Sequence, residues 1–311
     1  MQVEISIVIV SYNVSAYLEK CLNSIFRNEK DLSFEIFIVD NNSSDNTIDM
    51  LNNKFADQKN LYIIANKDNL GFARANNQVL SKVSGDMILF LNPDTELKEI
   101  NSLKKLFQYM TIHQNVGICG PRIIFGNGDL QFSCGEKPTL KTTLLEVFLL
   151  PKIFPGLFKG YRLANWNHLE TRTVDWVSGA CLMIRNDVLK TIGGFDDKMI
   201  MYAEDVDLCL RTEQLGYEVK YYPDVSIIHY EGQSSRKTRK TAVIAGYKSK
   251  LHFFEKYYGL NAARKLKFAF IVSSFFKILY ITPVCFFKPE RYNPIRESYL
   301  VALKEIMNLS I

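Results

Sequence analysis

Short apolar runs alternate with segments of helical periodicity along the first half of the chain. Residues 5–10 form a β-branched run of the kind that is buried on both faces of a parallel sheet. Leu18, Leu22 and Ile25 then recur at helical spacing. The alternation continues with predicted strands at 34–39, 61–65, 87–91 and 116–120 and predicted helices through 48–51 and 73–83. This pattern predicts an α/β fold with a mostly parallel central sheet flanked by helices.

The second half is irregular before order returns. Residues 136–170 mix apolar and polar positions around several prolines, and we interpret them as a long connection with a helical piece. Beyond them we expect order to return at 173–184, followed by a helix from Asn186 and a turn at Gly193-Gly194. A second helix is expected over 204–215, and strands through Val219 and Ile227 then lead to His229.

Three polar clusters directly follow predicted strands: Ser11-Tyr12-Asn13, Asp40-Asn41-Asn42 and Asn92-Pro93-Asp94. Ligands of open parallel sheets bind beyond the carboxyl ends of the strands. A lone Asp40 would be interpreted as a cap of the loop that follows it. The run from Asp40 to Thr47 is instead dense in small hydrogen-bonding side chains, which suit a base and a ribose. Within it, Ser44 or Asp45 is expected to cap the next helix.

Two further positions point to phosphate chemistry. Gly71, in Asn69-Leu70-Gly71-Phe72, either permits a turn or lets the backbone approach a diphosphate beside a helix N-terminus. Asp94 suits a hard divalent cation that would neutralise a departing diphosphate. The alternative for Asp94 is a turn with the aspartate as a helix cap, since Asn-Pro-Asp is good turn chemistry.

A predicted helix start carries the candidate base. Glu204 and Asp205 lie in its first turn, where acidic side chains also serve the helix dipole alone. A carboxylate at a helix start that faces a cleft is well placed to take a proton from an attacking hydroxyl. Asp207 and Arg211 are spaced to pair along the same helix. His229 stands alone, and a lone histidine is commonly a satisfied core residue.

Charge divides the chain into two parts. Residues 1–235 carry 23 Lys and Arg against 29 Asp and Glu, a balance of −6, whereas residues 236–311 carry 15 against 4, a balance of +11. The six cysteines have no paired spacing, which predicts buried free thiols in a reducing compartment. No secretory signal is recognisable at the N-terminus.

The basic tail is also rich in aromatic residues. Residues 268–287 are almost wholly apolar apart from Lys277, and basic groups lie upstream at 236–240 and 264–267. A membrane span is possible by length, but the central lysine is costly there. We therefore predict helices that lie in a membrane surface, with packing on the body or on another subunit as the alternative.

The ordered set of motifs resembles a known family. Ser-Tyr-Asn, Val-Asp-Asn-x-Ser-x-Asp-x-Thr, Asn-Leu-Gly-Phe, Leu-Asn-Pro-Asp-Thr, Val-Ser-Gly-Ala, Gly-Gly-Phe-Asp and Glu-Asp-Val-Asp-Leu-Cys-Leu-Arg follow one another over roughly residues 3–235. Together they resemble the family-2 inverting glycosyltransferases with the GT-A fold, especially the rhamnosyltransferase-like branch that builds bacterial surface polysaccharides. The resemblance implies a GT-A catalytic domain at 1–235, and charge and composition predict a basic, aromatic-rich helical membrane-associating region at 236–311.

The resemblance also implies roles for particular residues. Asp205 would be the general base, and Asp94 and His229 would hold Mg2+ or Mn2+. The nucleotide-sugar would be bound by Ser11, Tyr12, Asp40, Asn69, Gly71, Asn92 and Asp94. The acceptor side would be formed by Trp176, Ser178, Gly179 and Glu204. Asn92 departs from the family, because many relatives carry aspartate there in an Asp-x-Asp signature.

These observations predict a metal-dependent inverting hexosyltransferase of polysaccharide biosynthesis. It would move a sugar, rhamnose in the rhamnosyltransferase-like branch, from a UDP- or dTDP-linked donor to a glycan or lipid-linked acceptor. We expect it in the cytoplasm, peripheral at the inner face of the cell membrane, with no nucleic-acid partner. The alternative is a non-catalytic nucleotide-sugar-binding protein on the same fold, which donor hydrolysis would exclude. A dehydrogenase is disfavoured by the absence of G-x-G-x-x-G, and a nucleotidyltransferase by the absence of a glycine-rich basic loop after the first strand.

Overall fold

A computed structural model describes residues 2–231 and 239–310, and it divides into two units. The first unit comprises residues 2–137, Arg162–Asp196 and the chain from Asp205 to residue 231. The second comprises Pro138–Tyr161, Asp197–Glu204 and the tail from residue 239. The predicted boundary at 235/236 and the basic residues 236–238 lie outside the described residues.

The first unit is built on a ten-stranded sheet with the order β3-β2-β1-β4-β11-β6-β12-β5, to which β7 and β9 attach beside β6 and β12. Strands β8 and β10 form a separate pair. The strands are β1 Ile5–Ser11, β2 Phe34–Asp40, β3 Leu61–Ala65, β4 Met87–Leu91, β5 Thr95–Leu97, β6 Val116–Ile124, β7 Leu130–Gln131, β8 Cys134–Gly135, β9 Arg172–Thr173, β10 Trp176–Val177, β11 Cys181–Arg185 and β12 Glu218–His229.

The predicted α/β class and the mostly parallel core are confirmed. Strands β1, β2, β3 and β4 run parallel, and β12 runs parallel to β6. Apart from half-buried Val10, the β-branched and leucine side chains of β1, β2 and β4 are buried, as expected for strands covered on both faces. The antiparallel neighbours of β11 are β4 and β6, so β11 begins at the edge where β4 ends.

Helices cover the sheet as the periodicity indicates. In the first unit they are α1 Ser15–Asn28, α2 Thr47–Lys54, α3 Phe72–Asn77, α4 Ser102–Ile112 and α7 Asn186–Ile192, and α8 Glu204–Gln214 begins at the unit boundary. The buried face of α1 consists mainly of Leu18, Cys21, Leu22 and Ile25, which confirms the predicted spacing.

Two boundaries differ from the predictions for local reasons. Helix α3 ends at Asn77 rather than near Val83, because the amide of Asn77 bonds the backbone of Phe195 and the chain continues with i to i+3 turns. Helix α2 has Asn46 at its N-cap position, although the carboxylate of Asp45 accepts the backbone N–H of Thr47. The strands expected at Val219 and Ile227 are one element, β12, whose pairing is irregular around Pro223, a residue without an N–H.

The second unit is helical. It contains α5 Leu140–Val147, α6 Leu150–Ile153, α9 Arg239–Tyr258, α10 Leu260–Phe287 and α11 Pro289–Asn308. Helices α9 and α11 are joined by ion pairs between Lys240 and Glu297 and between Lys248 and Glu305. The helical piece expected within 136–170 is therefore present as α5 and α6.

All six cysteines lie in the described part of the chain, where they are buried and free. Burial raises the pKa of the Cys21 thiol to about 12, so this sulfur is protonated at neutral pH. The cysteines are inert core residues, as their apolar sequence context predicts.

Candidate active site at the carboxyl edge of the sheet

The polar clusters that follow separate strands meet at one edge of the sheet. Ser11, at the end of β1, is in register with Asp40, at the end of β2. Asn92 follows β4 directly, and its backbone N–H donates to the carbonyl of Ala180, 2.9 Å away, just before β11. This is the edge at which open α/β sheets bind ligands.

The Ser11–Asp40 end of the edge has free hydrogen-bonding capacity. Asp40 is buried, and its carboxylate accepts the backbone N–H of Ser43 at 2.8 Å and the Ser43 hydroxyl at 2.6 Å. A carboxylate has about four acceptor sites, so two remain for a ligand hydroxyl. The buried hydroxyl of Ser11 has no hydrogen-bond partner among the described residues. The neighbouring Tyr12 is half-buried.

The loop after β2 is held by Asn13, the last residue of the polar cluster that follows β1. Its side-chain Oδ1 accepts the N–H of Ser44 at 2.7 Å and the N–H of Asp45 at 3.3 Å. Asn13 and Asn42 both adopt positive φ, of 56° and 64°, a conformation that asparagine tolerates better than most residues. These bonds fix the loop opposite the end of β1.

Gly71 lies at the same edge. It has a φ of 79°, which requires glycine or strains another residue, and its carbonyl accepts the side-chain amide of Asn41 at 3.1 Å. The side chain of Asn69 accepts the N–H of Gly71 at 3.0 Å. Asn69 therefore organises this turn through its side-chain oxygen.

The proposed metal ligands face each other. Asp94 and His229 are both buried, and Oδ1 of Asp94 lies 3.2 Å from Nε2 of His229. The pairing of β12 with β5 brings them together, because His229 is in register with Thr95. In addition, the N–H of Tyr230 donates to the carbonyl of Asp94 at 2.9 Å.

The neighbours of His229 fix which ring nitrogen faces Asp94. Nδ1 lies 2.9 Å from Oε1 of Gln131, and Nε2 lies 3.3 Å from the amide nitrogen of Asn92. In the tautomer that satisfies both contacts, Nδ1 donates to Gln131 and Nε2 accepts from Asn92. Nε2 has a single lone pair, so it serves either the Asn92 amide or a cation held together with Oδ1 of Asp94.

This pair fits a divalent cation. Neighbouring ligands of an octahedral ion, each about 2.1 Å from it, lie about 3.0 Å apart. The 3.2 Å separation of Oδ1 and Nε2 is of that size. No group of three or more histidine, cysteine or carboxylate side chains suited to a metal occurs in residues 2–231 and 239–310. Two protein ligands are enough where substrate phosphates and water complete the coordination, as is usual for Mg2+.

Asp205 is half-buried in the first turn of α8, next to the start of β11. Its Oδ2 accepts the N–H of Gly179 at 3.1 Å, and its Oδ1 accepts the N–H of Val206 at 2.8 Å. Desolvation raises the pKa of the Asp205 carboxyl above its usual range, and these backbone bonds and the charge of Arg162 offset part of that rise. A raised pKa moves the carboxylate closer to the strength required of a general base near neutral pH.

The remaining acceptor-side candidates have different surroundings. The hydroxyl of Ser178 accepts the N–H of Ala180 at 3.3 Å, beside the Asp205–Gly179 contact. Trp176 is buried, and its indole N–H donates to the carbonyl of Glu136 at 3.0 Å, so the ring fixes the backbone here. Glu204 is buried in the second unit, where its carboxylate accepts the N–H of Ala203.

Helix α8 is anchored by the predicted Asp207–Arg211 pair. Nε of Arg211 lies 2.8 Å from the buried carboxylate of Asp207. The other guanidinium nitrogens donate to the carbonyls of Ile192 and Gly194 at 2.8 and 2.6 Å. The pair thus connects α8 to the Gly193-Gly194 turn, where both glycines have positive φ. This connection fixes the start of the helix that carries Asp205.

Gln131 and Arg162 are the residues of the site that sequence reasoning missed. Gln131 belongs to the two-residue strand β7, and Arg162 forms an isolated bridge with Gly135. Both lie in short irregular segments without a periodic pattern or a motif. Their importance depends on which distant residue they contact, so no local signal identifies them.

Comparisons with known proteins agree with this architecture. The sequence model of the family described as glycosyl transferase family 2 matches residues 6–193, and that of glycosyltransferase like family 2 matches residues 163–243. The N-acetylglucosaminyl-diphospho-decaprenol L-rhamnosyltransferase of Mycobacterium tuberculosis is 26% identical over 257 residues, covering 78% of this chain and 81% of the relative. Rhamnosyltransferase WbbL of Escherichia coli is 25% identical over 246 residues, covering 74% and 84%.

Solved structures show the same fold at lower sequence identity. The mannosyltransferase PcManGT from Pyrobaculum calidifontis, in complex with GDP-Man and Mn2+, has a TM-score of 0.54 at 15% identity and covers 98% of this chain and 86% of that one. GalNAc-T7 with UDP, GalNAc and Mn2+ has a TM-score of 0.56 at 15% identity, covering 81% and 50%. The fold is therefore that of the GT-A glycosyltransferases. Because the first family model spans more than half of the sequence, the chain belongs to glycosyl transferase family 2.

Proposed function

We propose that this glycosyltransferase moves a sugar from a UDP- or dTDP-linked donor to an acceptor hydroxyl with inversion at the anomeric carbon. The observation that carries the proposal is the approach of Asp94 to His229, 3.2 Å apart, at the edge that also contains Ser11 and Asp40. A nucleoside diphosphate has a base and ribose for the polar edge and a diphosphate for the Asp94–His229 pair.

The reaction is a single displacement. The acceptor oxygen attacks the anomeric carbon while Asp205 takes the hydroxyl proton. The bond between that carbon and the diphosphate oxygen breaks, and its electron pair leaves with the nucleoside diphosphate. The raised pKa of Asp205 supports this role, because the carboxylate holds the transferred proton better than an exposed aspartate does.

Asp94 and His229 would hold a divalent cation, Mg2+ or Mn2+. When bound, the cation supplies positive charge that stabilises the leaving diphosphate. By accepting the Nδ1 proton, Gln131 would keep the lone pair of His229 on Nε2, the nitrogen next to Asp94. Asn92 supplies an amide where many relatives have a carboxylate, so the charge of the protein ligands comes from Asp94 alone.

The relatives supply the substrate class. Two of them are rhamnosyltransferases, and the name of one specifies an acceptor on a decaprenyl diphosphate carrier. We therefore propose rhamnose or a related hexose as the transferred sugar, a lipid-linked glycan as the acceptor, and polysaccharide synthesis at the inner face of the cell membrane as the setting.

A donor screen tests this function. The purified full chain is incubated with UDP- and dTDP-linked sugars, with Mn2+ or Mg2+ and with excess chelator, and release of nucleoside diphosphate is measured. We expect slow metal-dependent hydrolysis of one donor class, which Asp205→Asn reduces while leaving donor binding intact. Donor binding without any turnover, with or without lipid-linked acceptors, would instead identify a non-catalytic nucleotide-sugar-binding protein.

A further inference from the structure

Helix α10 exposes a continuous apolar face in the second unit. Seven large side chains share this aromatic face, and each is between 58% and 85% exposed: Phe268, Phe275, Phe276, Leu279, Tyr280, Phe286 and Phe287. Their spacing follows the helical repeat, so they form one stripe along the helix. Contiguous exposed apolar surface of this kind marks an interaction site.

The opposite face of α10 is packed within the unit. Leu266, Phe270 and Ser274 are buried, the ring of Tyr247 stacks on Phe270 at 4.3 Å, and its hydroxyl lies 3.3 Å from that of Ser274. Helix α10 is long and apolar enough to cross a membrane by length and composition. A span would require these packed contacts to separate, whereas a helix lying in the membrane surface keeps them.

Lys277, the central charge of α10, is on the protein side. Its Nζ lies 5.3 Å from the ring centroid of Tyr299 in α11, and it follows Phe270 and Ser274 at helical spacing. Burial lowers the pKa of Lys277. Because its ammonium group faces Tyr299, the stripe can enter an apolar layer without carrying this charge into it.

Positive charge surrounds the two ends of the face. Exposed Arg264 and Lys265 precede it, exposed Lys288, Glu290 and Arg291 follow it, so both ends carry net positive charge, and α10 contains no acidic residue. This arrangement complements anionic headgroups around an apolar interior. It opposes a second copy of the chain, because either relative direction of two stripes brings like charges together at the ends.

We propose that the aromatic face of α10 is seated in the headgroup layer of an anionic lipid membrane, with the helix parallel to the surface. The proposal rests on the proposed function only for the location of the acceptor, since a lipid-linked acceptor must be reached at that surface. The aromatic side chains supply apolar burial, and the flanking basic side chains bind headgroups.

Flotation of the full chain with vesicles tests the proposal. Phosphatidylcholine vesicles with and without phosphatidylglycerol are compared for the wild type and for Phe275→Ser/Phe276→Ser and Phe286→Ser/Phe287→Ser. The matched control is Ile100→Ser/Ile112→Ser, whose side chains are 69% and 76% exposed on the first unit. Thermal unfolding of each variant verifies folding.

We expect the wild type and the control to float with the anionic vesicles. Each aromatic pair should lower the bound-to-free ratio by about tenfold or more, because two apolar rings are lost from the interface. High salt should release only part of the protein, since apolar burial is not screened. Absence of wild-type flotation, or flotation of the folded aromatic variants equal to that of the wild type, would overturn the proposal.

Light scattering without lipid measures the oligomeric state and so tests whether a second copy of the chain covers the aromatic face instead. We expect a monomer, whereas a dimer that the aromatic variants abolish would assign the face to self-association and overturn the proposal. Binding of the nucleotide-sugar is measured in the same preparations without vesicles. Normal flotation without donor binding would count against the proposed function and still support the membrane surface.

Discussion

Nε2 of His229 lies 3.2 Å from Oδ1 of Asp94, although the two residues are far apart in the sequence. The contact depends on the antiparallel pairing of β12 with β5, which places His229 opposite Thr95. Both side chains are buried and both supply hard or borderline ligand atoms. We therefore propose that the pair holds the divalent cation, beside the edge that contains Ser11 and Asp40.

Removing either member of this pair should weaken metal-dependent donor binding. We expect Asp94→Ala and His229→Ala each to lose about tenfold or more in donor affinity with Mn2+ present, because each removes a ligand. Calorimetric titration of the donor with and without metal measures the effect. His113→Ala, which changes an exposed histidine, is the matched control. Metal dependence that is unchanged in folded His229→Ala would return this histidine to a purely structural role.

We expect Gln131 to affect metal affinity only by holding His229 in the required tautomer and orientation. Gln131→Leu removes the acceptor of the Nδ1 proton and frees the ring to change its tautomer, so we expect about 10-fold to 100-fold weaker metal binding. Gln131→Glu keeps an acceptor and should restore binding. Direct titration with Mn2+ and the nitrogen chemical shifts of the histidine ring report these effects without turnover. Equal metal affinity in the leucine and glutamate variants would contradict the positioning role.

Asp205→Asn should separate chemistry from binding. We expect turnover to fall by about 100-fold or more, the usual scale for a lost acid–base group, with donor affinity nearly unchanged. Steady-state kinetics and donor titration measure the two quantities, and Asp57→Asn, an exposed aspartate of the same unit, is the control. Near-normal transfer by the asparagine variant at saturating substrate would remove Asp205 from the mechanism.

The pH dependence of transfer follows from the same residue. A general base must be ionised, and desolvation raises the pKa of Asp205. The rate of the wild type should therefore rise with pH over a range above that in which an ordinary aspartate titrates. A rate that no longer changes with pH above the range in which an ordinary aspartate ionises would contradict this, because the loss of rate at acid pH would not then reflect protonation of Asp205.

Glu213 should make the stability of the first unit depend on pH. Desolvation and the nearby charge of Asp175 raise the pKa of Glu213 to about 7 from an ordinary 4.5. The folded chain then holds a proton that the unfolded chain releases, so stability should fall as pH rises from about 4.5 to about 7. Glu213→Gln cannot ionise, so its stability should not fall for this reason as the pH rises. Melting temperatures measured across this pH range test the prediction, with Glu170→Gln, at an exposed position, as the control. Parallel curves of melting temperature against pH for the wild type and Glu213→Gln would contradict it.

The residues of the site that lie at strand ends could be predicted from sequence, but the contacts of the site between different elements could not. Ser11, Asp40 and Asp94 each follow an apolar run, so the rule for open parallel sheets is sufficient to place them on one edge. The partnership of Gln131 with His229 depends on the hairpin β6–β7 reaching β12, a non-local pairing that no local periodicity encodes. Charge separates the tail from the body, but composition gives no sign that Pro138–Tyr161 belongs to the same unit as the tail.

The anomeric configuration of the released sugar tests the central claim most directly. When water replaces the acceptor, a single displacement first yields the sugar with the configuration opposite to that in the donor. Proton NMR of the earliest product, recorded before mutarotation, distinguishes the two anomers. We predict the inverted anomer, formed only with metal and lost in Asp205→Asn. First release of the retained anomer would contradict a single displacement with Asp205 as its base.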